Sequence, residues 1–134
     1  MIVGIGSDLV DVERIAQALE KYGERFANRV FTPTEQEYCR RFHGTENVHF
    51  AARFAFKEAF SKAIGTGITQ GFHMNECGVR NLYGGKPVAD LHGVLRERWG
   101  THVIHVTLSH TSHAALAVVV IETPEILNTV SIKD

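Results

Sequence analysis

Several residue types are scarce in this chain of 134 residues, and each scarcity excludes a class of protein. Cys39 and Cys77 are the only cysteines and show no metal-ligand spacing, which predicts reduced thiols and no disulfide. The net charge of -1 excludes a chain that is basic throughout, as many nucleic-acid-binding proteins are. No apolar run is long enough to span a membrane, and no basic region precedes the N-terminal apolar residues. The sequence therefore predicts a cytoplasmic protein with no membrane and no nucleic-acid partner.

The composition is that of a globular protein. Hydrophobic residues make up 44% of the chain and charged residues 22%. A chain of this length can bury roughly two-thirds of the surface that it exposes when unfolded. No repeat, low-complexity segment or linker divides the sequence, which predicts a single domain over residues 1–134.

Turn residues and hydrophobic periodicity predict an order of helices and strands. In TPTEQEY the expected N-cap is Thr32, with Pro33 at the first helical position and Glu35 completing a capping box. The predicted elements are a strand over residues 2–6, helices over 11–22 and around 26–30, a helix from 32 to about 43, a long helix over 46–64, a hairpin of 79–83 and 87–91, a short helix over 92–99, and strands over 102–110 and 113–122. This order indicates an α+β fold in which a mostly antiparallel sheet packs with a long helix.

The segment FAFKEAFSKAIGTG (residues 54–67) carries charges at set positions within an apolar helix. On a helical wheel, Glu58 and Lys62 are neighbours one turn apart on the face opposite the packed one. Taken alone, they are most simply a solvated surface ion pair. Phe54 on the same face is unexplained by that interpretation, so another surface is expected to cover this side. Lys57 points away from Lys62, and either a substrate contact or a structural ion pair would account for it.

Asp8 follows the first predicted strand and has two interpretations. Taken alone, it is a turn or N-cap residue. A carboxylate at a strand end and the carboxylate of Glu58 on a helix face could instead hold a hard cation together. Magnesium suits such a pair because it takes few carboxylates and completes its octahedron with water and phosphate oxygens.

Two ordered motifs then resemble a known family. GIGSDLVDVERI (residues 4–15) and FAFKEAFSKAIGTG resemble the first and second signatures of the holo-[acyl carrier protein] synthases of the 4′-phosphopantetheinyl transferase superfamily. GKPVADLHG and HVTLSHTSHAALAVVV are similar to later segments of that family, so that the resemblance covers nearly the whole chain. It implies the fold of that superfamily and transfer of the 4′-phosphopantetheine group of coenzyme A to a serine of apo-acyl carrier protein, with release of adenosine 3′,5′-bisphosphate, for fatty acid biosynthesis.

The resemblance also implies roles for single residues. Asp8 and Glu58 would ligate Mg²⁺, Glu58 would accept the serine proton directly or through a water, and Lys62 would contact the phosphates and support the leaving group. The residues implied in coenzyme A binding are Arg53, Lys62, Gly65, His105, Thr107 and Ser109. Strand alternation places His105, Thr107 and Ser109 on one face and His110 on the other. The loop FHGTENVH has no Lys or Arg for the 3′-phosphate, which leaves Arg40, Arg41, His49 and Arg53 as alternatives.

The partners of the chain are implied by the same resemblance. Acyl carrier proteins are acidic, and the residues implied in docking them are Arg14, Lys21, Arg25, Phe26 and Arg29. The alternative for this basic region is a solvated helix face. A homotrimer with active sites between subunits is also implied, which would cover Phe54 and the apolar last strand. Two other hypotheses are a non-catalytic coenzyme A or nucleotide-binding module on the same scaffold and a structural oligomer.

Overall fold

The computed structural model describes residues 1–69 and 71–124. Its elements, in chain order, are β1 (Ile2–Asp11), α1 (Val12–Tyr22), α2 (Glu24–Val30), α3 (Pro33–Arg40), α4 (Glu46–Ala63), a 3₁₀ turn (Met74–Glu76), β2 (Cys77–Asn81), β3 (Pro87–Leu91), α5 (Gly93–Trp99), β4 (Val103–His110) and β5 (Ala114–Glu122). The predicted α+β class is confirmed. The single domain over residues 1–134 stays a prediction, because residues 125–134 lie outside the described part.

The strands form two antiparallel sheets. The larger has the order β1-β5-β4, and the smaller is the hairpin β2-β3. Pairing of β1 with β5 continues to Asp11, so the expectation that the first strand ends before Asp8 is wrong. Asp8 lies within β1, opposite Ala117 of β5. The turn-forming tendency of Ser7 and Asp8 is overridden because the backbone there has a complete strand partner.

The long helix α4 lies on the inner face of the larger sheet. A Cβ atom at Gly4 would lie 2.1 Å from the carbonyl oxygen of Ala63, and one at Gly6 would lie 2.1 Å from that of Ala59. Because only hydrogen occupies these positions, the backbone of α4 contacts the backbone of β1 directly. The two glycines therefore determine how near α4 comes to the strand that carries Asp8.

Helix α4 is also surrounded on its other sides. From Phe50 to Ala63, only Glu58 and Lys62 escape full burial. The expectation that another surface covers this side of the helix is therefore confirmed, and the simpler interpretation as a solvated face is wrong for most of it. Phe54 is 8% exposed, and Arg14 of α1 covers it with Cζ 5.6 Å from the ring centroid. The surface that covers Phe54 thus belongs to the same chain, and a trimer is not needed to explain it.

Candidate active site

The carboxylates of Asp8 and Glu58 come together where β1 packs on α4. Inner-face positions of β1 recur every second residue, so Asp8 faces the helix in line with Gly4 and Gly6. Burial and the negative charge of Asp8 raise the pKa of Glu58, while the positive charges of Lys62 and Arg14 lower it in part. Asp8, Lys62 and Arg14 of the same chain therefore all act electrostatically on Glu58.

Lys62 bridges β1 and α4 at this site. Its Nζ donates hydrogen bonds to the backbone oxygen of Ser7 at 2.9 Å and to Oδ1 of Asp8 at 3.1 Å. The simplest prediction, an ion pair with Glu58, is therefore wrong, since the ion-pair partner that the described part of the chain gives to Lys62 is Asp8. The side chain of Lys62 remains 50% exposed, which leaves its ammonium group accessible to a ligand.

The end of α4 beside the site is shaped by Ser61 and Gly65. The Ser61 hydroxyl donates to the carbonyl oxygen of Glu58 at 2.6 Å, a bond from one turn further along the helix. Gly65 has φ 86°, a left-handed conformation that side chains rarely adopt, and a Cβ there would meet open space. The positive φ of Gly65, which lets the chain change direction after the helix, thus explains why glycine is present here. A close approach of coenzyme A to Gly65 stays a prediction.

Lys57 does not belong to the site. Its side chain is fully buried, and its Nζ lies 2.6 Å from both Oε1 of Glu35 and the backbone oxygen of Cys77. Of the two interpretations that the sequence left open, the structural ion pair is the one that the structure shows.

Arg53 lies away from the two carboxylates, on the side of α4 that packs against the hairpin. It is 3% exposed and donates to Oδ1 of Asn81 at 2.8 Å and to the backbone oxygen of His49 at 3.3 Å. Its Cζ is 4.4 Å from the ring centroid of Tyr38. Its guanidinium is thus engaged within the chain, although Nε has no hydrogen-bond partner among the described residues.

The predicted cluster on β4 faces away from α4. The register of β4 with β5 places His105, Thr107 and Ser109 on the outer face of the larger sheet, whereas Asp8 is on the inner face. His105 Nε2 lies 2.5 Å from Oε1 of Glu122. The shared face of the three residues is confirmed, and the structure does not bring them to Glu58 within one chain.

His110 has the opposite orientation, as predicted. It lies on the inner face, where its ring centroid is 5.7 Å from that of His49 on α4. Burial, with smaller effects of Arg53 and His110, lowers the pKa of His49.

The basic docking residues lie on α1 and α2. Arg14, Lys21, Arg25 and Arg29 are exposed, and Phe26 is half-buried with its ring edge-on to Phe31 at 6.0 Å between centroids. The proximity of Arg14 to Phe54 and to Glu58 was missed by sequence reasoning, because nothing local in the sequence shows which helix will lie beside α4.

Comparisons with known proteins identify the family. A family model described as 4′-phosphopantetheinyl transferase superfamily matches residues 4–119. The chain therefore belongs to the 4′-phosphopantetheinyl transferase superfamily. Among its curated relatives is the holo-[acyl-carrier-protein] synthase of Chelativorans sp. (strain BNC1), 45% identical over 129 residues, which cover 91% of this chain and 96% of that protein.

Solved structures agree with this placement. The holo-[acyl-carrier-protein] synthase of Neisseria meningitidis superposes with a TM-score of 0.80 at 36% identity and covers 92% of this chain and 100% of its own. The enzyme of Bacillus anthracis str. Ames, in complex with CoA (3′,5′-ADP), has a TM-score of 0.77 at 36% identity, with 92% and 98% covered. The resemblance carried by the two motifs is confirmed, and the non-catalytic alternative is not favoured. None of the helices formed by residues 1–69 and 71–124 has the length and hydropathy for crossing a membrane.

Proposed function

We propose that this chain transfers the 4′-phosphopantetheine group of coenzyme A to a serine hydroxyl of apo-acyl carrier protein. The serine oxygen forms a bond to the phosphorus that bears the pantetheine arm, the pyrophosphate bond to the other phosphorus breaks, and adenosine 3′,5′-bisphosphate leaves. The observation that carries the proposal is the convergence of Asp8, Glu58 and Lys62 at one place in a chain of this family. We infer a role in fatty acid biosynthesis in the cytoplasm from the same resemblance.

The carboxylate pair is suited to Mg²⁺. Burial and the negative charge of Asp8 both raise the pKa of Glu58, and the repulsion between the two carboxylates is relieved by a cation that both hold. No group of three or more His, Cys, Asp or Glu suited to a metal occurs among residues 1–69 and 71–124, so the site offers two protein ligands. Mg²⁺ accepts such a pair because it keeps water and phosphate oxygens as its other ligands. When bound there, the ion would neutralise negative charge on the phosphate groups.

The protein groups have distinct tasks in the transfer. Glu58 accepts the serine proton directly or through a water. Lys62 donates hydrogen bonds to the phosphates in place of Ser7 and Asp8, and it stabilises the negative charge that develops on the leaving group. Its half-exposed side chain has the freedom to make this exchange.

The test is to incubate the chain with apo-acyl carrier protein, coenzyme A and Mg²⁺ and to weigh the carrier by mass spectrometry. A mass gain of one phosphopantetheine is expected, and the gain should vanish with a chelator or in Glu58→Gln. Glu37→Gln is the matched control, since Glu37 forms an exposed ion pair with Arg41. A full gain with the chelator present would refute the magnesium requirement, and no gain in any condition would refute the transfer itself.

We propose that the acidic carrier docks on the exposed basic residues of α1 and α2. Arg14 is placed both on this surface and near Glu58, so docking there would bring the carrier beside the site. Charge reversal by Arg25→Glu should raise the KM for carrier protein about tenfold and leave the KM for coenzyme A unchanged. Arg98→Glu on α5 is the control for net charge. The reverse pattern of KM changes would show that the docking surface is elsewhere.

We propose further that the chain acts as a homotrimer whose sites lie between subunits. The outer face of the larger sheet exposes Ile5 and Leu9 by 68% and 69%, and a second copy would cover them. If His105 contacts the same coenzyme A as Glu58, it must come from another copy, because the two side chains belong to opposite sides of the sheet.

Mixing two inactive variants tests this arrangement. Glu58→Gln and His105→Ala chains, unfolded and refolded together, should regain about a quarter of the wild-type activity, since that share of intersubunit sites combines both intact residues. Mixing without refolding, where subunits do not exchange, is the control. If a confirmed mixed oligomer recovers no activity, either Glu58 and His105 act in one site from the same subunit or His105 is not part of the site.

A further inference from the structure

A network of buried polar groups joins α3, α4 and β2 on the side of α4 that faces away from the larger sheet. Glu35 is 0% exposed and accepts hydrogen bonds from the backbone N–H of Thr32 at 3.0 Å and of Val79 at 3.0 Å. Its remaining partner is Lys57, also 0% exposed, which donates to it and to the backbone oxygen of Cys77. The two opposite charges thus neutralise each other, and the pair ties α4 to both neighbouring elements.

The opposite side of α4 fixes how near the helix comes to the larger sheet. There the helix backbone at Ala59 and Ala63 lies directly against Gly4 and Gly6, with no side chains interdigitating at these contacts. These contacts set the distance between α4 and β1. A second point of attachment, on the far side of the helix, adds to the definition of its rotation.

The buried ion pair of Lys57 and Glu35 is well placed to set the rotation of α4. Lys57 and Glu58 are consecutive, and consecutive helical residues point about 100° apart, so fixing the direction of Lys57 fixes that of Glu58. Lys57 is held at two points, by a carboxylate on α3 and a carbonyl on β2. The Ser61 hydroxyl bond to the Glu58 carbonyl then stabilises the same turn of helix locally.

We infer that Lys57 and Glu35 are positioning residues of the transfer site: their buried ion pair sets the rotation of α4 that presents Glu58 to Asp8. This inference rests on the proposed function, which makes the two carboxylates a metal-binding pair. Replacing a buried ion pair by apolar side chains of similar size often leaves the free energy of unfolding unchanged or raises it. Stability alone therefore does not explain this pair, whereas a role in specifying the geometry of the site does.

The decisive variant is the double substitution Glu35→Gln with Lys57→Met. It keeps the size of both side chains and an acceptor oxygen for one of the two backbone N–H donors, those of Thr32 and Val79, and it leaves no unpaired buried charge. Lys57→Met alone leaves Glu35 without its counter-ion and should lower Tm far more. We expect the double variant to recover most of that Tm loss.

Two measurements then separate positioning from stability. Binding of Mn²⁺ alone, followed by electron paramagnetic resonance with Mg²⁺ as competitor, should be about tenfold weaker in the double variant, and kcat should fall about 10- to 100-fold. KM for carrier protein should stay within about twofold, since α1 and α2 are untouched. Leu95→Ala, a cavity variant in α5 at a 7% exposed position, is the control that lowers Tm without altering the network.

Each outcome decides the inference. Recovery of Mn²⁺ affinity and kcat together with Tm in the double variant would show that the pair is only structural. An equal loss in Leu95→Ala would show that any destabilisation weakens the site. Failure of the wild-type chain to bind Mn²⁺ would refute the metal assignment under the proposed function. The positioning role would then be decided by comparing the kcat of the double variant with that of Leu95→Ala, since positioning requires the larger loss in the double variant.

Discussion

Adding one methyl group to β1 should separate the two halves of the site. In Gly6→Ala the new Cβ would lie 2.1 Å from the Ala59 carbonyl oxygen and 2.8 Å from the Ala63 amide nitrogen. Both are backbone atoms of α4, so neither can rotate away, and Gly6 has no positive φ that would add strain of its own. The helix and the strand must therefore move apart by about 1 Å to regain ordinary contact distance.

The magnitude of the effect follows from that displacement. Overpacking of this kind costs about 1–3 kcal/mol of unfolding free energy. The Lys62 hydrogen bonds to Ser7 and Asp8, at 2.9 and 3.1 Å, would stretch beyond hydrogen-bond length. Because a misplacement of about 1 Å at a reacting centre can cost about 100-fold in rate, kcat should fall by that order.

Urea unfolding and steady-state transfer kinetics measure the two effects separately. Ile121→Ala, at the buried β5 position opposite Gly4, is the control that loses about 2–5 kcal/mol by a cavity rather than by pushing α4 away. Its kcat at a temperature where it remains folded should fall much less than that of Gly6→Ala. Wild-type stability and kcat in Gly6→Ala would refute the direct backbone contact, and equal kcat losses in both variants would refute the argument from displacement.

Three further predictions concern titration, thiols and assembly. Burial and the charge of Asp8 raise the pKa of Glu58 in the folded chain, so ionisation of Glu58 opposes folding when no metal is bound. The contribution of Glu58 to stability is therefore present below its pKa in the unfolded chain and is lost as pH rises through its pKa in the folded chain. Urea unfolding should thus show Glu58→Gln gaining stability relative to wild type as pH rises from about 4 to 7, and a constant difference would contradict the raised pKa. Burial raises the pKa of Cys39 to about 12 and raises that of Cys77 as well, so a disulfide reagent at neutral pH should label neither thiol until denaturant is added; rapid labelling of the native chain would contradict their burial. Leu116→Arg on the outer sheet face should dissociate the proposed trimer in sedimentation velocity while Val94→Arg on α5 leaves it intact, and an oligomer that Leu116→Arg leaves unaffected would exclude that face as the interface.

Local signals predicted the local structure well. The capping box of Thr32 and Glu35 is present, with the Thr32 hydroxyl accepting from the Glu35 amide at 3.1 Å. The hairpin turn at Gly84 and Gly85 is also where the sequence indicates it, with both residues at positive φ. These features depend on residues within a few positions of one another, so composition and spacing are sufficient to recognise them.

Contacts between distant segments were not predictable in the same way. Glu35 could be recognised as a capping residue, but its bond to Lys57 joins residues 22 positions apart. The helical wheel gives the direction of each side chain from α4 without showing which elements will surround it. A covering surface over Phe54 was therefore expected, but the wheel did not show that it would be α1 of the same chain.

The candidate site was recognised from its motifs, and the structure adds the reason for their spacing. Gly4, Gly6 and Asp8 are separated by two residues each, which is the period of a strand, so the glycines that admit α4 also direct the carboxylate towards it. A slip of one residue would send Asp8 to the outer face, and the long pairing of β1 with β5 opposes such a slip. The first motif, on β1, thus combines a packing surface and a proposed ligand in one strand. The glycines of that strand can be packed against only if α4, which carries the second motif, turns Ala59 and Ala63 towards them.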